Sequence, residues 1–153
     1  MTPQWTPGTA VDHLDPALIC ERLQRARFAR IAYIDGDQPI VVPVNIATDD
    51  SLHIVLRTAV GTALAGLDGR KVAIELDAHD AGLRIGWSIL VQGAVRDITD
   101  AHDADARRWR RLVVDTWAPG TRERVLVVSP SSITGRVIPP GADGDWFAGV
   151  PSS

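Results

Sequence analysis

The sequence predicts a mainly β protein with some α (α+β), an antiparallel barrel flanked by short helices. Three observations carry this. Successive runs at 28–35, 38–48 and 52–57 are rich in β-branched residues or alternate apolar with polar ones, the period-two pattern of strands packed on a core. The links between them are short and made of Asp, Gly and Ser, as in Asp35-Gly36-Asp37 and Asp49-Asp50-Ser51, which joins neighbouring strands antiparallel. Nothing in the chain has the strand–helix–strand rhythm of a parallel sheet.

Taken in order, residues 1–13 hold Pro3, Pro7 and Gly8 and read as a loose arm. Asp15-Pro16 opens a helix, with Asp as N-cap and Pro at the first helical position. Ile19, Leu23 and Ala26 form its buried face, and it ends near Arg27. Strands follow at Phe28–Asp35, Gln38–Thr48 and Leu52–Arg57, the last expected to be half buried. Gly61 to Leu67 allows one or two helical turns. Lys71–Asp77 is a further strand and His79 to Leu83 a turn. Arg84–Ile98 is a long strand in which Gly86 and Gly93 mark bends or bulges. Thr99-Asp100 is read as the cap of a second helix reaching about Trp117, with Trp109, Leu112, Val113 and Thr116 on its apolar face. Its acids (Asp100, Asp103, Asp105) come early and its arginines late, which suits the helix dipole. Arg124–Val128 and Ile133–Ile138 read as two separate strands. The domain therefore covers residues 14–138, and 139–153 form a Pro/Gly-rich tail with Trp146-Phe147 as a docking point.

Composition narrows the function. A chain of 153 residues, 45% hydrophobic and 23% charged, fits one globular domain. Its net charge of −3 argues against a general binder of nucleic acid or anionic membranes. Cys20 is the single cysteine, so neither an internal disulfide nor a thiolate metal cage is expected, which suits a reducing cytoplasm. The first ten residues lack the pattern of a signal peptide, and no apolar stretch approaches a membrane span. His13, His53, His79 and His102 have no metal-ligand spacing, and no Ser-His-Asp pattern, phosphate-binding P-loop or carboxylate pair stands out.

Four segments can carry chemistry. In Arg57-Thr58-Ala59-Val60-Gly61-Thr62, a strand gives way to a helical turn. Unpaired backbone N–H groups converge at such a start, Gly61 permits close approach, two hydroxyls add donors, and Arg57 adds a forked cation suited to phosphate. The same residues also suit a plain capped turn with a surface arginine. In Val42-Pro43-Val44-Asn45, a proline inside an apolar strand marks an edge or a place where something else sits, and Asn45 both donates and accepts. That suits a flat heterocycle, or simply a solvated edge. Trp87-Ser88 places an indole beside a hydroxyl, and Trp117, on the turn Trp117-Ala118-Pro119-Gly120, can cover a ligand or a partner subunit. Arg107-Arg108-Trp109-Arg110-Arg111 reads as the solvated side of an amphipathic helix.

In their order, these segments resemble the pyridoxamine 5′-phosphate oxidase-like family, the FMN-binding split barrel. The likeness covers roughly residues 15–138. It runs through Arg30-Ile31-Ala32-Tyr33, Val42-Pro43-Val44-Asn45, Leu56 to Thr62, Val72 to Asp77, Gly86 to Gly93, Trp117 to Gly120 and Ile133-Thr134-Gly135-Arg136. The resemblance implies an antiparallel split β-barrel and a homodimer with two cofactor sites at the subunit interface. Val42, Pro43, Val44 and Asn45 would line the isoalloxazine. Arg57, Thr58, Gly61 and Thr62 would hold the ribityl phosphate, Trp87 and Ser88 would lie along the cofactor, and Trp117 would reach in from the other subunit. One position departs from the family pattern: where a lysine commonly follows the Gly-Thr pair, this chain has Ala63. A charge-assisted hydrogen bond contributes about 1.5–3 kcal/mol, so FMN binds more weakly, another cation such as Lys71 or Arg124 substitutes, or the ligand is not FMN.

The leading expectation is an FMN-dependent oxidoreductase acting on a small molecule, with the cofactor supplying the redox chemistry. True pyridoxamine-phosphate oxidase activity is not expected, since no second Arg/Lys/His cluster stands out for a substrate phosphate. Three alternatives remain open: a reductase using the deazaflavin F420, with Arg57, Arg84 and Arg124 along its anionic tail; a haem-binding split barrel; and a non-enzymatic dimer that carries a cofactor or has lost it.

Overall fold

Strand pairing closes a ring. The computed structural model describes residues 12–83 and 85–138, so most of the N-terminal arm, Arg84 and the tail with Trp146-Phe147 lie outside the described residues. In chain order the elements are β1 (Asp12–His13), α1 (Pro16–Arg25), β2 (Phe28–Asp35), β3 (Gln38–Thr48), β4 (Ile54–Thr58), a 3-10 turn (Ala63–Gly66), β5 (Lys71–Asp80), β6 (Ile85–Asp97), α2 (Ala104–Arg110) and β7 (Arg124–Ile138). Neighbours run β7-β4-β3-β2-β5-β6, and β6 pairs back to β7. The six strands form an antiparallel barrel flanked by two helices, and β1 adds two residues beside β7.

The local reasons follow the sequence. Asp15 caps α1 by accepting from the Ala17 N–H at 2.7 Å, and Pro16 begins the helix where no N–H is needed. The helix buries Ile19 and Leu23 against the barrel. A Cβ on Gly135 of β7 would stand 2.8 Å from Leu14 Cβ and Ile19 Cδ1, so a side chain there would push α1 off the sheet. The β2–β3 hairpin pairs Asp35 with Gln38, and Gly36 takes the left-handed conformation the turn needs at φ +63.

Two apolar cores lie on opposite faces of β4 and β7. Ile31, Ile46, Ile54, Leu56, Ile74, Ile89, Val91, Leu126 and Val128 fill the barrel. Val55, Val125 and Val127 point outward and pack beneath α2 with Ala47, Ile98, Ala106, Trp109 and Val114. This corrects the half-buried reading of the third strand: Ile54, Val55 and Leu56 are all buried because α2 covers the outer face. The strand also starts later than its apolar pattern, at Ile54, because Leu52 sits at φ +65 and still belongs to the turn.

Three further boundaries differ from expectation. The second helix is Ala104–Arg110, capped by Asp103, whose carboxyl the Arg96 guanidinium pulls down to about 2. Thr99 does not cap it, since its hydroxyl donates to Asp97 at 2.6 Å and accepts from the Val125 N–H at 3.0 Å. Leaving the helix at Arg110 shifts the phase, so Val114 is buried and Val113 is exposed. Residues 124–138 form one strand rather than two. A bulge opposite Gln92/Gly93 absorbs an extra residue beside Pro130, which has no N–H to give a ladder. β5 runs on to Asp80, so His79 is in a strand and not in the turn.

Asp49 ties α2 to the β3–β4 turn. Its carboxylate accepts from the Trp109 indole at 2.8 Å and from the backbone N–H groups of His53 at 2.8 Å and Ser51 at 2.9 Å. Burial acts to raise this carboxyl, but these bonds and the neighbouring His53 outweigh it and hold the carboxyl below the ordinary Asp value. Asp97 is depressed likewise: burial opposes, and Thr99 and Arg124 prevail.

Two predictions follow from this packing. A Cβ on Gly93 would lie 2.2 Å from the Ser129 carbonyl oxygen, whereas one on Gly66 meets nothing within 4 Å. Gly93→Ala is expected to cost about 2–4 kcal/mol and Gly66→Ala less than about 1 kcal/mol, as measured by urea denaturation. For Asp49, a folded pKa below the unfolded one adds stability that is fully present above the unfolded value of about 3.9 and is lost as pH falls from there through the lower folded value. Asp49→Asn should lower stability at neutral pH and lose less on acidification than the parent chain, in parallel denaturation curves at pH 7 and pH 3.

Candidate functional site

The ring is not paired evenly. β2 pairs with β3 along Gln38–Asn45, while β4 pairs with β3 only at Ile46, Ala47 and Thr48. Residues 38–45 therefore have a free edge, the split of the barrel. The Ile46 N–H donates to the Arg27 carbonyl at 3.1 Å, so even-numbered residues of β3 turn their backbone groups toward β2 and odd-numbered ones turn theirs to the free edge. That edge carries the N–H and C=O of Val41, the C=O of Pro43 and the N–H of Asn45, while the Asn45 carbonyl belongs to the ladder with β4. A proline at position 43 costs no ladder bond, because its nitrogen faces the split.

Of the side chains singled out here, Val44 is buried in the barrel, Val42 is half-buried and Pro43 is exposed. Asn45 is engaged at both ends of its amide. It donates to the Arg27 carbonyl at 3.2 Å and accepts from the Trp117 N–H at 3.0 Å. This bond pins the loop after α2 against the start of β2, where Trp117 stacks on Phe28 with centroids 5.2 Å apart and planes 9° from parallel. Trp117 remains 65% exposed, an indole held in place but uncovered.

At the end of β4, Thr58 is buried, and its hydroxyl meets that of Thr62 at 2.6 Å. Thr62 in turn donates to the Ala59 carbonyl at 3.0 Å and caps the 3-10 turn that Ala63 begins. Gly61 stands at φ +81 with open space around its Cα, so the backbone here is approachable. Arg57 points to the other face of β4, where it donates to the Arg110 carbonyl at 3.0 Å. Ala63 is exposed, Lys71 lies exposed at the start of β5, and Arg124 is ion-paired with Asp97.

Trp87 and Ser88 lie on opposite faces of β6. Trp87 packs at the edge of the barrel core beneath the Arg22 guanidinium, 4.3 Å from the ring centroid. Ser88 is in register with Asp77 on one side and Arg136 on the other. An open cavity of about 570 Å³ lies beside Trp87, between α1 and the Phe28–Trp117 stack, with Arg22, Arg25, Arg27, Glu21 and Asp77 as its charged lining and Leu18 and Leu76 among its apolar walls. Sequence reading missed Arg22, Arg25 and Arg27, because α1 was read for its apolar face alone. Their crowding at the C-terminal half of the helix, just before Phe28, was the available signal. The histidines stay apart, with His53 packed on Trp109 at 4.9 Å, and no group of His, Cys, Asp and Glu among the described residues is arranged to hold a metal ion.

Comparison with known proteins bears on this geometry. The sequence profile of the pyridoxamine 5′-phosphate oxidase family matches residues 15–137. An FAD-binding protein from Mycobacterium smegmatis is 25% identical, superposes with a TM-score of 0.70, and is matched over 85% of this chain and 100% of its own. An uncharacterized protein of Mycobacterium tuberculosis is 25% identical over 111 residues, 69% of this chain and 71% of that one. An FAD-binding protein from Mesorhizobium loti, at 22% identity, shares the fold with a TM-score of 0.61 over 83% of this chain and 97% of its own.

The Asn45 clamp makes a prediction of its own. Asn45→Ala should free the loop carrying Trp117, raising the amide exchange rate of Trp117 by about tenfold or more and costing about 1 kcal/mol of stability. Hydrogen exchange read at Trp117, with amides in β6 as internal reference, measures it.

Proposed function

Because the chain belongs to the pyridoxamine 5′-phosphate oxidase family, we propose that it is a flavin-binding oxidoreductase acting on a small molecule, with the flavin at the split between β3 and β4. One observation carries this reading. The M. smegmatis protein, matched over its whole length, binds FAD, and FAD contains the riboflavin 5′-phosphate unit that is FMN. The ring-and-phosphate recognition expected of FMN serves either flavin.

The residues of the split fit such a group. The free edge of β3 offers the N–H and C=O of Val41, the C=O of Pro43 and the N–H of Asn45 to the polar edge of an isoalloxazine, and Val42 and Val44 close the wall behind it. The open backbone at Gly61 suits the phosphate, and the exposed Thr62 hydroxyl would donate to it by turning off the Ala59 carbonyl. Arg57 contributes by moving off its Arg110 carbonyl or through its remaining donors, and Ala63 contributes no charge. Bound flavin supplies hydride chemistry; the chain binds and orients it and shields it from water.

The same proposal includes a homodimer. The outer face of β2, β3 and β6 leaves Phe28, Ile34, Val41 and Leu90 exposed around the Arg30 pairs with Glu75 at 3.2 Å and Asp77 at 2.7 Å. An apolar sheet face around a fixed, internally paired charge cluster suits a second copy, whose Ser88 and Trp117 would then approach the flavin.

Titration of the purified chain with FMN and with FAD, followed by flavin fluorescence, tests this. Micromolar or tighter binding of either is expected, with sedimentation as a dimer. Arg57→Ala and Thr62→Val should weaken binding about tenfold, worth about 1.4 kcal/mol, and Arg108→Ala should leave it unchanged. Failure of both flavins to bind ends the oxidoreductase reading, and equal effects of Arg57→Ala and Arg108→Ala end the assignment of the phosphate turn.

A further inference from the structure

We propose that the cavity between α1 and the Phe28–Trp117 stack is a binding site for a small planar aromatic monocarboxylate. Its volume of about 570 Å³ is that of a small-molecule pocket. Its walls supply apolar surface from Leu18, Leu76 and Trp87, and a flat one from Trp117, held face-on to Phe28 and still open to solvent.

The hydrogen-bonding groups left free select one forked acceptor, a carboxylate. Arg25 is paired with Glu21 at 2.9 Å, and Arg27 is turned back onto the carbonyls of Gln24 and Ala26 at the end of its own helix. Asp77 is held by Arg30. Arg22 differs from these. It has no ion pair among the described residues, its guanidinium lies flat on Trp87, and its Nη1 is buried with no hydrogen-bond partner. A buried donor without an acceptor is costly to leave unmade, and a guanidinium stacked by its face presents its edge as a fork for one carboxylate. A dianionic phosphate, with three acceptor oxygens to satisfy, would find one free fork and the carboxylates of Glu21 and Asp77 beside it.

The cavity adjoins the free edge of β3 through the Asn45–Trp117 hydrogen bond. Its occupant would therefore be the substrate side of the proposed flavin site, a role that rests on that reading, although binding itself does not. Calorimetric titration with 2-naphthoate, on the chain without flavin and again with FMN added, separates the two. Expected are a sub-millimolar Kd, at least tenfold weaker binding of 2-naphthamide, and at least tenfold weakening by Arg22→Gln. Trp117→Ala, at an exposed position, should weaken binding severalfold, and Arg108→Gln should not weaken it. Naphthoate binding without flavin binding would end the flavin reading and leave the site standing. The site is overturned by absence of saturable binding, as when a second copy of the chain fills the cavity. It is also overturned by unchanged affinity in Arg22→Gln, by competition between FMN and 2-naphthoate, or by markedly tighter binding of 2-naphthyl phosphate than of the carboxylate.

Discussion

The barrel depends on the contact between Gly93 and the Ser129 carbonyl. β7 serves two neighbours, β4 through Arg124–Val128 and β6 through Leu126–Ile138. To do so it must turn from one to the other while keeping its ladder. The bulge opposite Gln92/Gly93 provides that turn, and the missing side chain at Gly93 lets the two backbones approach there. Without closure by β7 the sheet would have two open edges, and the residues it surrounds would have no opposite wall.

Closure at β7 also sets where the barrel can be open. With β6, β7 and β4 locked by long ladders, the remaining slack falls between β3 and β4, which share three residue pairs. The Asp49 turn fixes those pairs. Its carboxylate organises the turn and holds Trp109, and Trp109 brings α2 down on Val55. β4 is thus clamped on both faces near the turn and leaves β3 beyond Ile46. The split is a consequence of where the clamp ends.

Much of this was legible in the sequence. The cap at Asp15-Pro16, the hairpin at Gly36, the strands at 28–35 and 38–48 and the short turn after Gly61 depend on neighbours a few residues apart, and local signals report them. The errors arose where distant residues decide. Nothing near Val55 says that α2 will cover it, and nothing near Thr99 says that Asp97 and Val125 will occupy its hydroxyl. Ser129-Pro130-Ser131 looks like a break in isolation, and only its partner at Gly93 makes it a bulge. At the candidate site the segments could be read in order, but not the direction each side chain takes. Arg57 and Thr58 are adjacent and face opposite ways, as strand neighbours must, and Asn45 spends its amide on Arg27 and Trp117.

Those directions change how the split would recognise a flavin. A clamp of lysine and arginine would hold phosphate mainly by charge. Here Ala63 has no charge, and Arg57 is engaged on the far side of β4. With Arg57 on the Arg110 carbonyl, what faces the turn is neutral, two hydroxyls already bonded to each other and the exposed backbone at Gly61, and only by moving off that carbonyl would Arg57 add charge. Recognition by fixed neutral dipoles depends on geometry more than on Coulomb attraction, and salt screens it less. A cation with a free donor near the split is instead Arg22, on α1 beside Trp87. A flavin at the split and an anion in the adjoining cavity would thus be recognised by different means, the first mainly by shape and the second mainly by charge.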